Sequence, residues 1–455
     1  MSRQNRALTF VNLVLMLTVA LPASSPDAAA VPSPRNRLSR VILIAALAFI
    51  AWVLIHAVRN PFHPGNNTFS DFYYAAYNVR TGQDIAGVSG YIYPPFLAFA
   101  LQPLTYLPVG MASRVWLLFS FALTSGSMLV GYRLLARTWH LPTDWRSALP
   151  VIATAVLLSA GEAKTEWSVS QCDGLVLDAF TFSLALMDTN PVAAGFAIAL
   201  GANVKFQTLI LLPYLLWRWR LRALCSALAS IFVLAVIPAM SMGWQRMLDS
   251  WAAALGGLAQ FLGLHPRLAT KVHELSWVSS ISIPSALARN LPSLGYPTSY
   301  AFPIAAVILA AMLGICAWIY RARRLPLCGP LDKSAPAQRA LVVFEWSFIV
   351  GILLAFGPQT TRRHCFILML VHLVVAALLW FPILKSNKRQ LLGISVIVYQ
   401  LGLRLPPSAS WCASQADAWK FIGGPAWCVA GLILVLLYCG TTAMPLTSST
   451  KPISN

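Results

Sequence analysis

An all-α, polytopic integral membrane protein is the fold class that this sequence predicts. Hydrophobic residues make up 58% of the 455 residues and charged residues only 10%, whereas soluble domains carry about 25% charged residues. Long apolar runs recur from one end of the chain to the other, and no polar stretch is long enough for a separate soluble domain. Each span is expected to be an α-helix, because lipid offers the backbone no hydrogen-bonding partner.

The apolar runs set the expected number of membrane spans. A span needs about 20 apolar residues, and fewer where the helix is buried among others. The sequence predicts about 10–12 transmembrane helices, at residues 41–58, 112–135, 147–160, 174–188, 191–203, 204–217, 223–241, 301–320, 340–356, 364–384, 391–403 and 425–441. For residues 191–217 two interpretations are open: one long tilted helix, or two short helices in a hairpin that turns near Lys205.

We divide the chain into one domain and two terminal segments. Residues 41–441 form the multi-span domain, with large outer loops at about 59–111 and 242–300. Residues 1–40 are an N-terminal extension with a basic flank, and its apolar run Ala7–Leu21 fits a signal peptide, a marginal span or a mis-set start codon. Residues 442–455 form a short polar tail.

Clusters of lysine and arginine indicate which span ends face the cytoplasm. They lie at residues 35–40, 133–137, 217–222, 321–324 and 385–389. The sides alternate consistently if residues 191–217 form the hairpin. The outer side then receives residues 59–111, 161–173, 203–205, 242–300, 357–363 and 404–424. We therefore expect a multi-pass protein of a bacterial-type cell membrane whose functional residues face outward.

The charge and cysteine patterns exclude several partners. The formal net charge is +19, but the basic residues lie in short clusters at the ends of apolar runs. This pattern favours contact with membrane lipids and disfavours nucleic acid. The eight cysteines show no C-x-x-C and no Cys/His metal spacing, so neither a disulfide framework nor a zinc site is predicted. No cofactor is expected.

Asp71 lies in the first large outer loop of a chain with only 14 acidic residues. One interpretation is a capping or first-turn acid of a helix that starts near Ser70. The other is a general base, because aromatic neighbours that partly desolvate the carboxylate raise its proton affinity. Tyrosines follow at 73, 74, 77, 91 and 93. They fit an interfacial aromatic belt, and Tyr73, Tyr74 and Tyr93 also fit a surface on which a sugar stacks.

Polar residues at the outer ends of later spans are further candidates. Gln171 and Asp173 precede an apolar run and are either solvated loop residues or side chains that point into a cavity. Lys205 lies within an apolar stretch, where a charge costs about 2.5–3.5 kcal/mol on insertion scales. It is either a snorkelling lysine at a helix end or a phosphate-binding lysine that faces the bundle interior.

A compact basic cluster and one acidic pair complete the candidates. Arg362, Arg363 and His364 are either a cytoplasmic topology signal or, on the outer side, a clamp for phosphate with His364 close to the acceptor or the leaving group. Glu274 follows His273 in the large outer loop. A surface position and a contact with substrate are both open for Glu274, and a metal site there lacks a third ligand.

Three blocks of this sequence form a recognisable series. They are "SDFYYAAYNVRTGQD" followed by "YIYPPFLAFALQPLTYLP", then "SQCDGLVLDAFTFSLAL", and then "GANVKFQTLILLPYLLWRWR". Together they resemble glycosyltransferase family 87. The second block is similar to the family's Gly-Gln-x-Asn motif, with Ser170 in place of Gly and Asp173 in place of Asn. The resemblance runs from about residue 69 to 222. Beyond it, residues 273–291 only faintly echo the family's element in the large loop.

The resemblance implies a GT-C fold and the transfer of a sugar, best known as mannose, from a polyprenyl-phosphate donor on the outer face. By this resemblance Asp71 is the base that deprotonates an acceptor hydroxyl on a glycan or glycolipid, and the anomeric carbon is inverted. Lys205 with Arg362 or Arg363 is implied to neutralise the leaving phosphate. A transporter or flippase of a lipid-linked glycan is the alternative, since it too binds phosphate between helices.

Overall fold

The computed structural model describes residues 34–59, 68–85, 88, 90–260, 264, 266–267, 269, 272–331, 336–404 and 413–443. Within these residues the chain forms helices and no β-strand, apart from one isolated bridge between Ser280 and Thr361. The all-α prediction is confirmed. Residues 1–33 and 444–455, which include the run Ala7–Leu21 and most of the predicted tail, lie outside the described residues.

Nineteen α-helices and five short 3₁₀ helices follow one another along the described chain. The α-helices are α1 Pro34–Arg59, α2 Phe69–Thr81, α3 Pro95–Ala100, α4 Val109–Trp139, α5 Trp145–Leu158, α6 Ala160–Ser168, α7 Asp173–Leu186, α8 Pro191–Val204, α9 Leu211–Trp217, α10 Leu221–Val236, α11 Ala239–Met242, α12 Trp244–Gln260, α13 Ile283–Asn290, α14 Ala301–Ala322, α15 Pro336–Phe356, α16 Met369–Trp380, α17 Ser386–Arg404, α18 Ala413–Phe421 and α19 Gly424–Ala443. The 3₁₀ helices are Gln102–Tyr106, Phe206–Ile210, Pro292–Leu294, Thr298–Tyr300 and Arg362–Leu368.

The predicted spans all fall on helices, although these differ in length. Among the described residues, seven helices are long and apolar enough to cross a membrane, and eight if the bent pair α5–α6 is one span. The helices at the remaining predicted spans are shorter or more polar, so the total of about 10–12 stays a prediction. The chain breaks at Lys205, and Thr208 then donates back to the Ile198 carbonyl at 2.8 Å. The chain thus turns back along α8, as the hairpin interpretation of residues 191–217 predicts.

The centre of the bundle is α16 with the 3₁₀ helix that precedes it. Every side chain from Cys365 to Leu378 is buried, on all faces of the helix, as is typical of a helix that is hydrophobic all round. It packs against α4 and α5, and α15 and α17 lie beside it. The largest side chains that are fully buried in this core include Trp346, Phe180 and Tyr132.

The segments predicted to be outer come together at one end of the bundle. Gln171 donates to Thr68 at 2.6 Å, and the amide of Ile281 donates to the Thr360 carbonyl at 2.7 Å. Arg289 donates to the carbonyls of Trp277 and Ser280 at 2.9 and 3.0 Å and to those of Lys420 and Phe421 at 3.1 Å. One buried guanidinium thus fixes the large loop to α18.

The bend of 74° between α5 and α6 exposes backbone groups that other helices satisfy. The Leu158 carbonyl accepts from Gln400 at 2.9 Å and from Arg404 at 2.8 Å. The Ser159 hydroxyl is 2.7 Å from Nδ1 of His372. Because a buried carbonyl without a donor costs about 1–3 kcal/mol, these contacts stabilise the bend.

At the opposite end, Arg218 and Glu345 form a fully buried ion pair. Glu345 also accepts from the hydroxyls of Tyr214 at 2.9 Å and Tyr320 at 2.7 Å. Arg218 donates to the Pro326 carbonyl at 3.1 Å. Both carboxylate oxygens therefore have two donors, and the network joins α9, α14 and α15. Arg218, part of a predicted topology cluster, is a structural residue of the interior.

The substitution Arg218→Met is expected to lower the free energy of unfolding by about 3–5 kcal/mol, because Glu345 then stays buried without its cation. Thermal unfolding of the purified protein in detergent measures the change. Arg222→Met is the matched control, since Arg222 is an exposed residue of the same basic segment, and its melting temperature should stay at the wild-type value. The double variant Arg218→Met, Glu345→Leu should recover most of the loss. An unchanged melting temperature for Arg218→Met would contradict the assigned network.

Candidate active site

Asp71 lies in the first turn of α2, but it does not cap that helix. The residue at the N-cap is Thr68, whose side chain makes no capping bond and accepts from Gln171 instead. The Asp71 carboxylate accepts a long hydrogen bond of 3.5 Å from the Ser70 hydroxyl. Burial raises the pKa of Asp71 above its ordinary value, while Ser70 and the positive charge of Arg363 lower it in part.

The chain passes directly over the Asp71 carboxylate at Gly90. Gly90 has a φ of +85°, and a Cβ atom there would overlap both the Asp71 oxygens and their carbon. Only glycine fits this close approach without strain, because it lacks a Cβ and tolerates positive φ. The turn before the Tyr-Pro-Pro segment therefore packs against the acid and limits its orientation.

Buried aromatic rings form the floor of the site. The Tyr93 ring packs edge-on against Phe72 with centroids 5.0 Å apart, and its hydroxyl donates to Oε1 of Gln171 at 3.5 Å. Burial raises the pKa of the Tyr93 phenol well above its ordinary value, so the group is a neutral hydrogen-bond donor. Gln171 thus links Tyr93 to Thr68, and it connects the first outer loop with the segment before α7.

The turn at Ser170 accommodates a serine at the position where the similar family motif has glycine. Ser170 has a φ of +50°, a conformation that favours glycine, and it stands where the family motif has Gly. Trp116 donates its indole N–H to the carbonyls of Ser170 at 3.1 Å and Gln171 at 3.3 Å. These contacts keep the turn in place although the residue is not glycine.

Lys205 forms an ion pair with Asp173 at the heart of the cluster. Asp173 is fully buried at the start of α7, and Lys205 is the extended residue that ends α8. The ammonium also lies 5.9 Å from the centre of the Tyr93 ring. The apolar stretch tolerates Lys205 because a carboxylate on the neighbouring helix compensates its charge.

Neighbouring arginines on the 3₁₀ helix Arg362–Leu368 have different surroundings. Arg362 pairs with Glu162 at 3.4 Å, and Arg404 contacts the same carboxylate at 3.3 Å. Arg363 acts electrostatically on Asp71, Tyr93 and Asp173. Within the described residues Arg363 forms no ion pair, and its Nε has no hydrogen-bond partner. Arg363 is thus the cation of the cluster that no carboxylate has engaged.

His364 completes the cluster as a buried residue beside the ion pair. Its Nδ1 accepts from the backbone amide of Thr361 at 3.1 Å, so that nitrogen carries no proton and the ring is neutral. Its charged neighbours are Asp173, Lys205 and Arg363.

The structure therefore brings most of the predicted site residues into one cluster. Its predicted members are Asp71, Tyr93, Gln171, Asp173, Lys205, Arg363 and His364. Four predicted residues lie elsewhere. Arg362 is engaged by Glu162, Tyr73 donates to the Leu107 carbonyl at 2.8 Å, Tyr74 is exposed, and the exposed Glu274 accepts from Ser276 at 3.3 Å.

Sequence reasoning did not include Glu166 and Thr68 among the site residues. Glu166 is fully buried, and Asp173, Lys205 and Arg363 are its charged neighbours. The available indication was an acid five residues before Gln171 in a chain with few acids. Thr68 had no comparable indication, because a threonine before a helix is common.

The match with known families follows the same part of the chain. Residues 91–330, more than half of the protein, match the sequence profile of glycosyltransferase family 87. The chain belongs to glycosyltransferase family 87. It is a membrane glycosyltransferase. No curated protein and no solved structure shows a significant match. The family match extends beyond residue 222, where the resemblance of individual motifs weakens, and it contains Tyr93, Gln171, Asp173 and Lys205.

Gly90→Ala tests whether sugar transfer depends on Asp71. With Asp71 in the reaction, transfer should fall by about a hundredfold, because a displacement of about 1 Å of a reacting group has this effect. The added methyl group would push the Asp71 carboxylate out of place. Gly243→Ala is the matched control, because Gly243 has a similar φ of +81° and no atom within 4 Å of the added group. Both variants should lose about 1–3 kcal/mol of stability from backbone strain at positive φ, and only Gly90→Ala should lose activity. Equal activities in a transfer assay would contradict the contact with Asp71.

Proposed function

We propose that this family 87 glycosyltransferase moves a sugar from a polyprenyl-phosphate donor to a hydroxyl of a glycan or glycolipid acceptor. The observation that carries the proposal is the position of Asp71 at the end of the bundle where the outer loops meet. Asp71 is half-buried, and the positive charge of Arg363 lowers its pKa in part. A base and a free cation in one cluster suit a reaction that removes a proton and releases a phosphate.

Asp71 acts as the general base. It accepts the proton of the acceptor hydroxyl, whose oxygen attacks the anomeric carbon of the donor sugar. The bond between that carbon and the phosphate oxygen breaks, and its electron pair leaves with the polyprenyl phosphate. Because the attack comes opposite to the leaving group, the anomeric carbon is inverted. The raised pKa of Asp71 suits this role, since it brings the proton affinity of the carboxylate closer to neutral pH.

Arg363 is the residue we assign first to the donor phosphate. A guanidinium offers a planar fork of donors that matches phosphate oxygens, and Arg363 has no carboxylate partner among the described residues. Lys205 is the second phosphate ligand, and it must exchange part of its contact with Asp173 for the phosphate. Arg362 supports the site indirectly: it pairs with Glu162 on α6, the helix that follows the bend after α5.

The sugar, fold family and membrane side in this proposal rest on different grounds. Mannose and the GT-C fold come from the resemblance to the family's best-known members. The outward orientation comes from the basic clusters at the opposite span ends, under the positive-inside rule. Substrate contacts of Tyr93, Gln171 and His364 follow from their places around Asp71 and Lys205. Membership of a transferase family favours this reaction over the transport of a lipid-linked glycan.

Asp71→Asn is expected to lower the transfer rate by about a hundredfold to ten-thousandfold, which is the range for loss of a general base. Membranes supplied with radiolabelled polyprenyl-phosphomannose and an acceptor extract measure the rate, at equal protein levels. Donor binding should persist. Asp84→Asn, which removes an exposed acid of the same loop, should transfer at the wild-type rate. Full activity of Asp71→Asn would remove this residue from the mechanism. If the wild-type protein does not transfer mannose, donors that carry other sugars are tested next.

The pH profile tests the link between Asp71 and Arg363. The base must be ionised, so kcat/KM should fall as the pH drops through the raised pKa of Asp71. The charge of Arg363 lowers that pKa, so Arg363→Gln should move the acidic limb to higher pH and weaken donor binding. Arg363→Lys, which keeps the charge, should leave the limb close to its wild-type position. An acidic limb that does not move in Arg363→Gln would show that the two groups do not interact.

A further inference from the structure

Glu166 is a buried acid that the proposed reaction does not use. Its side chain lies on α6 and is inaccessible to solvent. Oε1 accepts a hydrogen bond of 2.9 Å from the backbone amide of Gly174. Oε2 is buried and has no hydrogen-bond partner, and within the described residues Glu166 forms no ion pair. A charged carboxylate in such a place would cost several kcal/mol.

The neighbours of Glu166 compensate a negative charge only in part. Asp173 and Lys205 come from α7 and the end of α8, Arg363 from the 3₁₀ helix, and Tyr93 and Cys172 from the loops between helices. Asp173 is itself a carboxylate, and the Lys205 ammonium is already bonded to it. Arg363 is the remaining cation, and it also faces Asp71.

The charge balance of the cluster depends on Glu166. His364 is neutral, because its Nδ1 accepts a hydrogen bond. Asp71 and Asp173 are then balanced by Lys205 and Arg363, provided that Glu166 carries a proton. If Glu166 were ionised, the cluster would be negative before the phosphodiester of the donor arrives. An anionic ligand binds poorly to a site with an excess of like charge.

We propose that Glu166 is a positioning residue that keeps its proton in the donor-binding state and so makes the cluster receptive to the donor phosphate. The proton resides on Oε2, while Oε1 anchors the amide of Gly174 and with it the start of α7. Before the donor binds, Asp173 therefore stays in contact with Lys205, and Glu166 does not compete with the donor phosphate for Arg363. This inference rests on the proposed function, because it concerns the same phosphate-linked donor.

The proposal links donor affinity to one proton. Above the pH at which Glu166 ionises, the dissociation constant of the donor should rise by about tenfold per pH unit, as a single linked proton requires. Glu166→Gln keeps a side-chain oxygen that accepts from the backbone amide of Gly174, and it is neutral like the protonated acid. Its affinity should equal that of the wild type at acidic pH and should not change with pH over the alkaline range.

Binding of polyprenyl-phosphomannose to the full chain in nanodiscs measures this dependence from mildly acidic to alkaline pH. Asp417→Asn is the control for the charge change, since Asp417 is an exposed acid on α18, and it should reproduce the wild-type curve. A Glu166→Gln curve with the wild-type slope would overturn the proposal. A loss of binding at acidic pH by Glu166→Gln, with an unchanged melting temperature, would also overturn it, because the site would then need the ionised carboxylate.

A second readout does not require the donor. The infrared spectrum of the protein at neutral pH should contain the carbonyl stretch of a protonated carboxyl group that is absent from Glu166→Gln and present in Asp417→Asn. If the wild type binds no polyprenyl-phosphate sugar, the proposed function fails, and this band alone decides whether Glu166 keeps its proton. If the wild type and Glu166→Gln show the same carbonyl stretch at neutral pH, the inference fails whichever donor the enzyme uses.

Discussion

A carboxylate that leaves water for the interior of a helix bundle must find a cation or keep its proton. This constraint accounts for the pairing of three buried carboxylates described in this protein, those of Glu345, Asp173 and Glu162. Glu345 has Arg218 and two tyrosine hydroxyls at one end of the bundle. At the other end Asp173 has Lys205, and Glu162 has Arg362 and Arg404. Glu166 lacks such a partner, which is why we assign it a proton.

The same constraint distinguishes structural cations from the cation that is available to substrate. Arg218 and Arg362 are committed to carboxylates, and Arg289 is committed to backbone carbonyls. Arg363 stands beside Arg362 in the chain but reaches the cluster of Asp71 and Asp173. The proposed reaction, in which a phosphate leaves, needs a cation whose hydrogen-bond donors are not already bound to a carboxylate. Arg363 meets this requirement more fully than Lys205.

The candidate site depends on loops that are distant in the sequence and that rigid helices bring together. Asp71 lies in the first turn of α2, Asp173 starts α7, Lys205 ends α8, and Arg363 precedes α16. Each residue therefore lies at the end of a helix, where the backbone leaves the bundle. At these positions Asp71, Lys205 and Arg363 combine a fixed backbone with partial access to water, which the proposed base and phosphate ligands both require. The position of Asp71 beside Gly90 adds a steric limit on its orientation.

The amino-acid sequence by itself determined the helical membrane fold, the approximate spans and the family motifs. Lipid offers no hydrogen bonds to the backbone, so a long apolar run has a helix as its only stable form. The sequence also indicated Asp71, Lys205 and Arg363 as charged residues in positions where a charge requires a partner or a function.

Only the tertiary structure decided how these charges pair. Arg362 and Arg363 have the same chemistry and adjacent positions, and the sequence does not distinguish them. The structure assigns Arg362 to Glu162 and leaves Arg363 for the cluster. It likewise directs Tyr73 to a backbone carbonyl and Tyr93 to Gln171. The physical reason is that pairing energies depend on distances between residues far apart in the chain, whereas the preference for a membrane helix depends on local composition.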